Sequence, residues 1–448
     1  MSLAPLTLPA ATLDSLPVEM VTSIVEYVDI SDLTALRFTC KRISALSNLR
    51  FGRVFFSTLR HCFSTKSLRA LADITAHSTF GPFVQAIFLG SARLSKPCWK
   101  EVFYKPPTDV VEHHRRKHEE QIALVQSGTA LALLRRAMMC VKRYGQIKTL
   151  GVAEDVKYDM TLHRMQYKGY GTHYFYKDVS YSFIVHEPLK TIRLLSSVRL
   201  TSGCRLDSLV IPTFPLDLDL KISVKEDETH RKSLSHVQSL YWHGDGRQFD
   251  GEHGDCSRML SKIRAFVYVL HGAQNLEKLH VHLEYPTHGV FWMPALYEDE
   301  FPSWTTNHRA PLTTPMLTDL KLEGVYLAVK ELTNFLGLQE STLSRLSLER
   351  CMLYDGEPGY WMQVLKWMLT RLTLEHLHVQ QLSSWVDPSE PWPRDFHSVW
   401  YTLTYSVLLN EPMENKVTIW DEGYTFDTGE AVKEGLQILM TNLQELYP

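Results

Sequence analysis

Side chains that could bind a metal ion are concentrated in one glycine-rich stretch of this 448-residue chain. The stretch reads H-G-D-G-R-Q-F-D-G-E-H-G-D-C, and its candidate ligands are His243, Asp245, Asp250, His253, Asp255 and Cys256. Mixed imidazole, carboxylate and thiolate ligands can bind zinc, but no pair here has the spacing of H-E-x-x-H or C-x-x-C. The pattern therefore favours a hydrated polar loop over a zinc centre, and a zinc hydrolase is a distant alternative.

Other chemistry-bearing patterns are weaker. His113, His114 and His118 share one predicted helix, but Arg115, Arg116 and Lys117 would repel a cation, which favours a hydrated basic patch. The sequence contains neither G-x-x-x-x-G-K-[ST] nor G-x-S-x-G, the motifs of a phosphate-binding loop and of a serine hydrolase. The chain is therefore predicted not to be an enzyme and to need no cofactor or metal.

Composition limits the possible partners. With 47 basic and 50 acidic residues the net charge is −3, and this balance predicts no binding to nucleic acid or to a membrane surface. No run reaches the roughly 18 apolar residues that a membrane span needs. The seven cysteines are odd in number and widely spaced, which favours a reduced protein of the cytoplasm, the nucleus or both.

Residues 13–49 carry the pattern of three short helices. Leu16, Met20, Ile24 and Val28 follow helical spacing, and a second apolar column runs beside them. This stripe is wider than one packing face needs, and three short helices cannot bury enough surface to be stable alone. The segment is therefore predicted to pack against a neighbour.

The residues of this segment resemble an F-box. The likeness rests on L-P-V-E-M-V-T-S-I-V-E-Y-V at 16–28 and D-L-T-A-L-R-F-T-C-K-R-I-S-A-L at 32–46, with Ile43 where the family often has Trp. The resemblance implies a domain over residues 10–50 that docks on a Skp-family adaptor, and through it on a cullin–RING ubiquitin ligase. The implied adaptor-binding residues are Leu16, Pro17, Glu19, Met20, Ile24, Leu33, Leu36 and Cys40.

Beyond residue 50 an apolar-x-x-apolar-x-apolar hexapeptide recurs. Nine copies begin at Val84, Ile147, Leu189, Leu206, Val237, Leu276, Leu317, Leu343 and Leu374. The segment Leu343–Leu353 fits the leucine-rich repeat template throughout, and helical patterns separate the later copies. We therefore predict an α/β fold over residues 51–448, an irregular leucine-rich-repeat-like solenoid with parallel strands and outer helices. Uneven spacing marks Leu189 or Leu206 as the copy expected to be false.

Three insertions interrupt this array, at 105–120, 155–188 and 286–315. The second holds six tyrosines, and its pattern fits either a β-hairpin with half of its rings packed inward or an exposed binding loop. The run at 67–89, a helix, a turn and a first strand, is similar to the layout that follows the F-box in many filamentous-fungal F-box proteins. Their C-terminal part is a degenerate leucine-rich repeat fold.

Strand alternation predicts which side chains line the concave face. The leucines point inward, so the residues between them form three outward columns across the five best strands. Five of these fifteen positions are histidines, which favours an acidic or phosphorylated partner, although an ordinary hydrated sheet face stays an alternative. The predicted substrate-binding residues are Tyr241, His280, Lys321, Arg345, Ser347, His376 and His378.

Two functions follow from these patterns. In the first, the chain is the substrate-recognition subunit of an SCF-type ligase, with an adaptor at its N-terminal helices and an unknown protein substrate on the solenoid. In the second, it is a leucine-rich interaction scaffold outside the ubiquitin system, and its N-terminal helices only cap the array. Co-purification of a Skp-family adaptor separates the two.

Overall fold

The structure is a computed structural model, and the statements below concern the residues that it describes. These are residues 12–96, 108–145, 147–159, 164–177, 179, 183–204, 207–211, 234–244, 269–270, 272–283, 317–327, 329–353, 360–380, 382–384, 402–403, 417–420, 423–426 and 429–446. The candidate zinc loop beyond Gly244 and the predicted insertion at 286–315 lie outside them.

Four short helices form the N-terminal part. A 3-10 turn at Leu13–Ser15 precedes α1 (Val18–Tyr27), α2 (Ile30–Arg37), α3 (Lys41–Leu46) and α4 (Asn48–Phe56). Their fully buried core consists of four side chains, Val21, Val25, Leu33 and Ile43. Because so small a core stabilises the helices only weakly, other interactions must hold them together.

Three arginines supply those interactions by donating to backbone carbonyls. Arg42 donates to Leu16 O at 2.6 Å, and Arg50 donates to Val25 O at 2.7 Å and to Val28 O at the end of α1. Arg37 on α2 donates to Ser44 O at 2.8 Å and lies over the Phe51 ring at 4.1 Å. A cation suits the C-terminal end of α1 because the last carbonyls carry partial negative charge.

The remainder is built around an eleven-stranded sheet. Nine strands follow one another in chain order and pair in parallel, and the last two add an antiparallel edge. The strands are β1 (Thr58–His61), β2 (Ala86–Gly90), β4 (Thr149–Ala153), β8 (Ser208–Ile211), β9 (Ser239–Gly244), β10 (Lys278–Leu283), β11 (Asp319–Glu323), β13 (Arg345–Glu349), β15 (His376–Gln380), β18 (Val417–Trp420) and β19 (Gly423–Phe426).

Eight of the nine hexapeptides form strands of this sheet, and the ninth, at Leu189, lies in a helix as one of the two suspected false copies. The sequence pattern missed β1 because His61 occupies the third apolar position, opposite Leu89 of β2. His61 is nevertheless buried, with Nδ1 2.9 Å from Ser67 O, and burial lowers its pKa to about 4. A neutral imidazole thus replaces a leucine in the core.

Helices cover one face of the sheet. They are α5 (Thr65–Ala76), α6 (Thr108–Gln126), α7 (Thr129–Tyr144), α9 (Pro188–Ser202), α10 (Val329–Leu338), α11 (Tyr360–Arg371) and α12 (Gly429–Leu446). The short helix α8 (Thr172–Tyr176) belongs instead to a second buried cluster, which also contains Ala92 and Ile184. The inward leucines of the strands and the apolar faces of most of these helices belong to one buried core. The alternate strand residues point to the opposite side, which we call the open face. Within the described residues no helix has the length and apolar character of a membrane span.

Shorter strands complete the fold. A four-stranded sheet contains β12 (Tyr326–Leu327), β14 (Met352–Leu353), β16 (Leu382–Ser384) and β17 (Thr402–Leu403). Two antiparallel pairs contain β3 (Ala92–Leu94) with β7 (Ile184–His186), and β5 (Val156–Asp159) with β6 (Arg164–Tyr167).

The first predicted insertion mostly forms the beginning of α6, and His114 and His118 do not belong to the hydrated basic patch that the sequence indicated. His114 is buried with Nε2 3.0 Å from Ser95 O, and His118 Nδ1 lies 2.8 Å from Leu94 O. These imidazoles satisfy the carbonyls at the end of β3, while Arg115 and Arg116 stay exposed. Gly128, whose φ of 70° is left-handed, separates α6 from α7.

The second insertion contains the hairpin β5–β6 over part of its length, and the choice between a packed hairpin and an exposed binding loop stays open. Tyr176 is buried and Tyr167 half-buried, whereas Tyr170 and Tyr174 are exposed. Tyr176 donates to Ala92 O at 2.6 Å and accepts from Gln121, which anchors the insertion to β3.

Beside this anchor lies a buried carboxyl group. Asp155 Oδ1 accepts from Ala92 N at 2.9 Å, and Oδ2 has no hydrogen-bond partner within the described residues. The neighbouring Arg93 directs its guanidinium to the carbonyls of Gly90 and Ala92 and to Thr191. Burial raises the pKa of Asp155 to about 7, although the Ala92 hydrogen bond and the Arg93 charge act to lower it.

Aromatic rings join the N-terminal helices to the sheet domain. Phe56 stacks on Phe80 with ring centroids 4.7 Å apart, and Phe51 meets Phe80 edge-on at 5.8 Å. A Cβ atom at Gly52 would lie 2.2 Å from the Phe83 ring. Residue 50, the predicted domain boundary, lies inside α4, so the two predicted domains are joined through one helix; their division stays a prediction.

A glycine-to-alanine pair tests this junction. Gly52→Ala should lower the free energy of unfolding by about 1–3 kcal/mol, since the new methyl group must displace a packed ring. Gly337→Ala on α10 is the matched control: its nearest neighbour would be 3.5 Å away, so it should raise stability by about 0.5–1 kcal/mol. Chemical denaturation of the full chain measures both. Equal stability of Gly52→Ala and wild type would contradict the junction.

The Asp155 carboxyl predicts a pH dependence of stability. Its pKa is raised in the folded state, so its stabilising contribution is complete below about pH 4 and is lost as pH rises through about 7. Asp155→Asn should therefore gain stability relative to wild type as pH rises from 5 to 8. Asp73→Asn, at an exposed carboxylate, should show a constant difference over that range. Parallel wild-type and Asp155→Asn curves in denaturant titrations would refute this prediction.

Candidate functional site

The N-terminal helices present an apolar surface on α1. Val21 and Val25 point into the small core, while Met20, Ile24 and Tyr27 lie on the outer side at i, i+4 and i+7. Tyr27 is 90% exposed, although it is a large aromatic side chain. Apolar side chains on both faces of one short helix indicate that the outer face is covered by a partner.

The exposed apolar side chains include Val18 and Ile30, the first residues of α1 and α2. Phe38, just after α2, is 85% exposed but lies beside α3 and the His77–Phe80 segment. We define the adaptor surface as Pro17, Val18, Met20, Ile24, Tyr27 and Ile30. Val18, Tyr27 and Ile30 were not among the predicted binding residues, although Tyr27 continues the helical spacing of Met20 and Ile24 and could have been found from it.

The predicted adaptor residues divide into two groups. Pro17, Glu19, Met20 and Ile24 are exposed on or next to α1. The other four lie inside or against the small core: Leu33 is fully buried, and Leu16, Leu36 and Cys40 are half-buried and pack on the core. Cys40 also caps α3, because its Sγ accepts from Ile43 N at 3.4 Å. These four residues support the adaptor surface from beneath.

On the open face the predicted register is the observed one. His280 pairs with Tyr241 on one side and with Lys321 on the other, and Ser347 and His378 continue that row. The rows on either side are Ser239, Lys278, Asp319, Arg345 and His376, and His243, His282, Glu323, Glu349 and Gln380. All seven predicted substrate residues therefore lie on one contiguous surface.

Three of the predicted outward positions are carboxylates, Asp319, Glu323 and Glu349, and in the structure they lie among the cations. Glu323 accepts from Arg350 at 2.8 Å and lies 2.6 Å from His282 Nδ1. Lys321 Nζ lies 2.6 Å from Glu349. The open face is therefore a network of ion pairs rather than a row of unpaired bases.

The same network continues through the remaining predicted residues. His280 lies 3.4 Å from Asp319, and Arg345 lies 3.7 Å from the same carboxylate. His378 lies 3.5 Å from Glu349, which also accepts from Ser347 at 2.9 Å. Tyr241 meets the His280 ring edge-on, with centroids 4.8 Å apart.

Cationic neighbours hold the pKa values of Glu323 and Asp319 below their ordinary values. Burial acts to raise the pKa of Glu323, but the His282 hydrogen bond and the charges of Lys321 and Arg350 outweigh it and lower the value to about 2. At Asp319 burial is likewise outweighed by His280 and Arg345, and its pKa is lowered. Asp319 and Glu323 are thus ionised throughout the physiological range.

Two turns after the strands have the same backbone conformation. Gly324 after β11 has a φ of 67°, and Arg350 after β13 has a φ of 52°. Glycine adopts this left-handed region without strain, and at Gly324 a Cβ would lie 2.2 Å from Leu283 O. Arg350 is the one described non-glycine residue with positive φ, and its side chain binds Glu323 on the open face.

No cluster of three or more metal-binding side chains occurs among the described residues. His243 and His282 do lie close, with ring centroids 4.3 Å apart. The second imidazole is oriented by Glu323, which makes it part of the ion-pair network.

Comparison with known proteins bears on the N-terminal helices. Residues 13–50 match the model of the F-box domain. A search of curated proteins found no significant match to the chain.

The range that matches the F-box model begins at the 3-10 turn, covers α1–α3 and ends in α4, and it therefore includes the adaptor surface. F-box domains generally bind Skp-family adaptors in SCF-type ubiquitin ligases. Residues 13–50 of this chain are therefore an F-box domain, joined to a mixed α/β domain with a large parallel sheet.

Proposed function

We propose that this chain is the substrate-recognition subunit of an SCF-type cullin–RING ubiquitin ligase. In this proposal the F-box domain docks on the Skp-family adaptor, and the sheet domain binds a protein substrate. The observation that carries it is the exposed outer face of α1, whose apolar side chains lie within the residues that match the F-box model. The chain itself performs no catalysis, because ubiquitin transfer belongs to the other subunits.

The junction at α4 suits this role. A substrate receptor must hold its substrate at a fixed position relative to the ligase, and a rigid connection limits the loss of orientation. The packed rings of Phe51, Phe56 and Phe80 provide such a connection. A flexible linker would instead let the sheet domain rotate freely about the F-box domain.

We further propose that the sheet domain is a degenerate leucine-rich repeat fold of the filamentous-fungal F-box type. Eight hexapeptide strands lie in chain order, and each of the first seven pairs in parallel with the next, which supports this proposal. We place the protein in the cytoplasm, the nucleus or both, where cullin–RING ligases act.

The alternative function, an interaction scaffold outside the ubiquitin system, assigns the N-terminal helices a capping role only. A cap needs apolar side chains that face the array, such as Phe51 and Phe56. It does not need Met20, Ile24 and Tyr27 on the side of α1 that is exposed. The outer face of α1 therefore favours the ligase.

Paired substitutions test the docking. Met20→Ala with Ile24→Ala removes two side chains that are 51% and 38% exposed. If both are buried at the interface, the loss is about 3 kcal/mol, which weakens adaptor capture about 100-fold. Co-expression of the full chain with a Skp-family adaptor, followed by pull-down and a binding isotherm, measures the effect.

The matched control is Ile122→Ala with Met139→Ala. These residues have the same types and nearly the same exposure, 39% and 47%, but lie on α6 and α7. They should leave capture unchanged. If the Met20 and Ile24 variant captures the adaptor as well as this control, docking through α1 is wrong. If wild type captures no adaptor, the ligase role itself fails.

A further inference from the structure

We propose that the open face binds an anionic segment of the substrate protein, in which several acidic groups lie beside an apolar residue. This inference rests on the proposed function, because it names the class of substrate that the sheet domain binds. It follows from how the charges are layered, from one strained arginine and from the change of side-chain type along the central row.

The charges on the open face lie at two depths. The side chains of Asp319, Glu323 and Glu349 are 15–18% exposed. Their cationic partners are more accessible: Lys321, Arg345 and Arg350 are 32–58% exposed. The carboxylates therefore form an inner layer that positions the cations. A partner that approaches from solvent meets the cationic layer first.

The inner layer also orders the imidazoles. His280 and His282 are about 30% exposed, and each directs one ring nitrogen to a carboxylate below. Among the described residues the other ring nitrogen of each has no hydrogen-bond partner, so it can donate or accept one. Lys278, in the same outer row as Arg345, is exposed as well. Fixed, preorganised donors bind an anionic group at a lower entropic cost than mobile side chains.

Arg350 provides an independent observation. A left-handed residue with a side chain costs about 1 kcal/mol relative to glycine, and the equivalent turn after β11 does use glycine. The chain therefore retains strain at Arg350 and gains a guanidinium at the edge of the cationic layer. Backbone strain of this kind is concentrated at functional positions.

The central row changes character along the sheet. Toward β15 it contains Lys321, Ser347 and His378, which belong to the charged network. Toward β2 it contains Val210 and Phe88, both only partly buried. The Phe88 ring lies against Gly151, where a Cβ would be 2.4 Å from it, so the glycine allows the ring to fill that position.

The dimensions fit a short segment. Eight strands from β2 to β15 at about 4.8 Å each span roughly 34 Å, which an extended chain of about 10 residues covers at about 3.3 Å per residue. Tyr241 lies between the apolar and the charged parts of the row. A segment with an apolar residue at one end and acidic residues along the rest would complement both parts.

Labelled ten-residue peptides test the charge class on the full-length protein. One peptide has Leu followed by glutamates, and in the others glutamine, lysine or phosphoserine replaces the glutamates. Fluorescence anisotropy should show the glutamate or the phosphoserine peptide binding at least tenfold more tightly than the other two. The tighter of these anionic peptides identifies the source of the charge. Equal or tighter binding of the glutamine or lysine peptide, or no binding by any peptide, overturns the proposal.

Variants locate the site. Lys278→Gln with Arg345→Gln should weaken binding of the anionic peptide at least tenfold. Lys366→Gln with Arg371→Gln is the matched control on α11, since Arg371 is as exposed as Arg345 and also pairs with a carboxylate. The control should bind like wild type. Equal loss in both variants would mean nonspecific attraction and would contradict the proposed site.

Arg350→Gly separates binding from stability. It relieves the left-handed strain, so the melting temperature should stay the same or rise, while affinity for the anionic peptide should fall several-fold. A lowered melting temperature with unchanged affinity would assign Arg350 a structural role and overturn its place in the site.

Adaptor capture should be unchanged in all of these variants. Peptide binding that fails while capture persists removes only this inference, whereas failure of capture in wild type removes the proposed function.

Discussion

The in-register parallel ladder is the constraint on which the rest of the structure depends. Side chains alternate along a strand, so inward leucines at every second position also determine which residues face outward. Because adjacent strands keep the same register from β9 to β15, outward residues far apart in sequence form straight rows. A slip of one residue would bury Lys321 and expose Leu322. Core packing and the candidate recognition surface are therefore specified by the same pattern.

This dependence explains how much of the fold could be predicted. Strong alternation in L-E-K-L-H-V or L-S-R-L-S-L gave both the strands and the three outward rows. Prediction failed where a buried strand position holds a polar side chain, as at His61. The burial of this imidazole depends on the Ser67 carbonyl of α5. It also failed at His114, because nothing local shows that the end of β3 will present carbonyls to that imidazole. Both errors concern polar side chains that tertiary contacts satisfy.

At both candidate sites the spacing of residues in the sequence predicted which side chains share a face, but not how deeply each side chain is buried. Spacing identified the residues of the open face, but the depth of each charge depends on neighbours across strands. The predicted cationic face is therefore a layered one, with Glu323 and Glu349 beneath the cations. In the F-box domain, helical spacing gave Met20 and Ile24, whereas Leu33 and Cys40 could be assigned to the core and to a cap only from the packed helices.

The F-box domain and the sheet domain are stabilised by different interactions, and this difference determines which kind of surface each can offer to a partner. Four buried side chains cannot fix the orientation of four helices, so Arg37, Arg42 and Arg50 bind backbone carbonyls instead. Because these hydrogen bonds hold the helices together, the outer face of α1 does not pack against other residues of the described structure. The sheet domain has an extensive core, and it can retain strain at Arg350 and buried charge at Asp155. A small domain held by polar bonds therefore offers its apolar surface to a partner, while the large core supports a polar surface of its own.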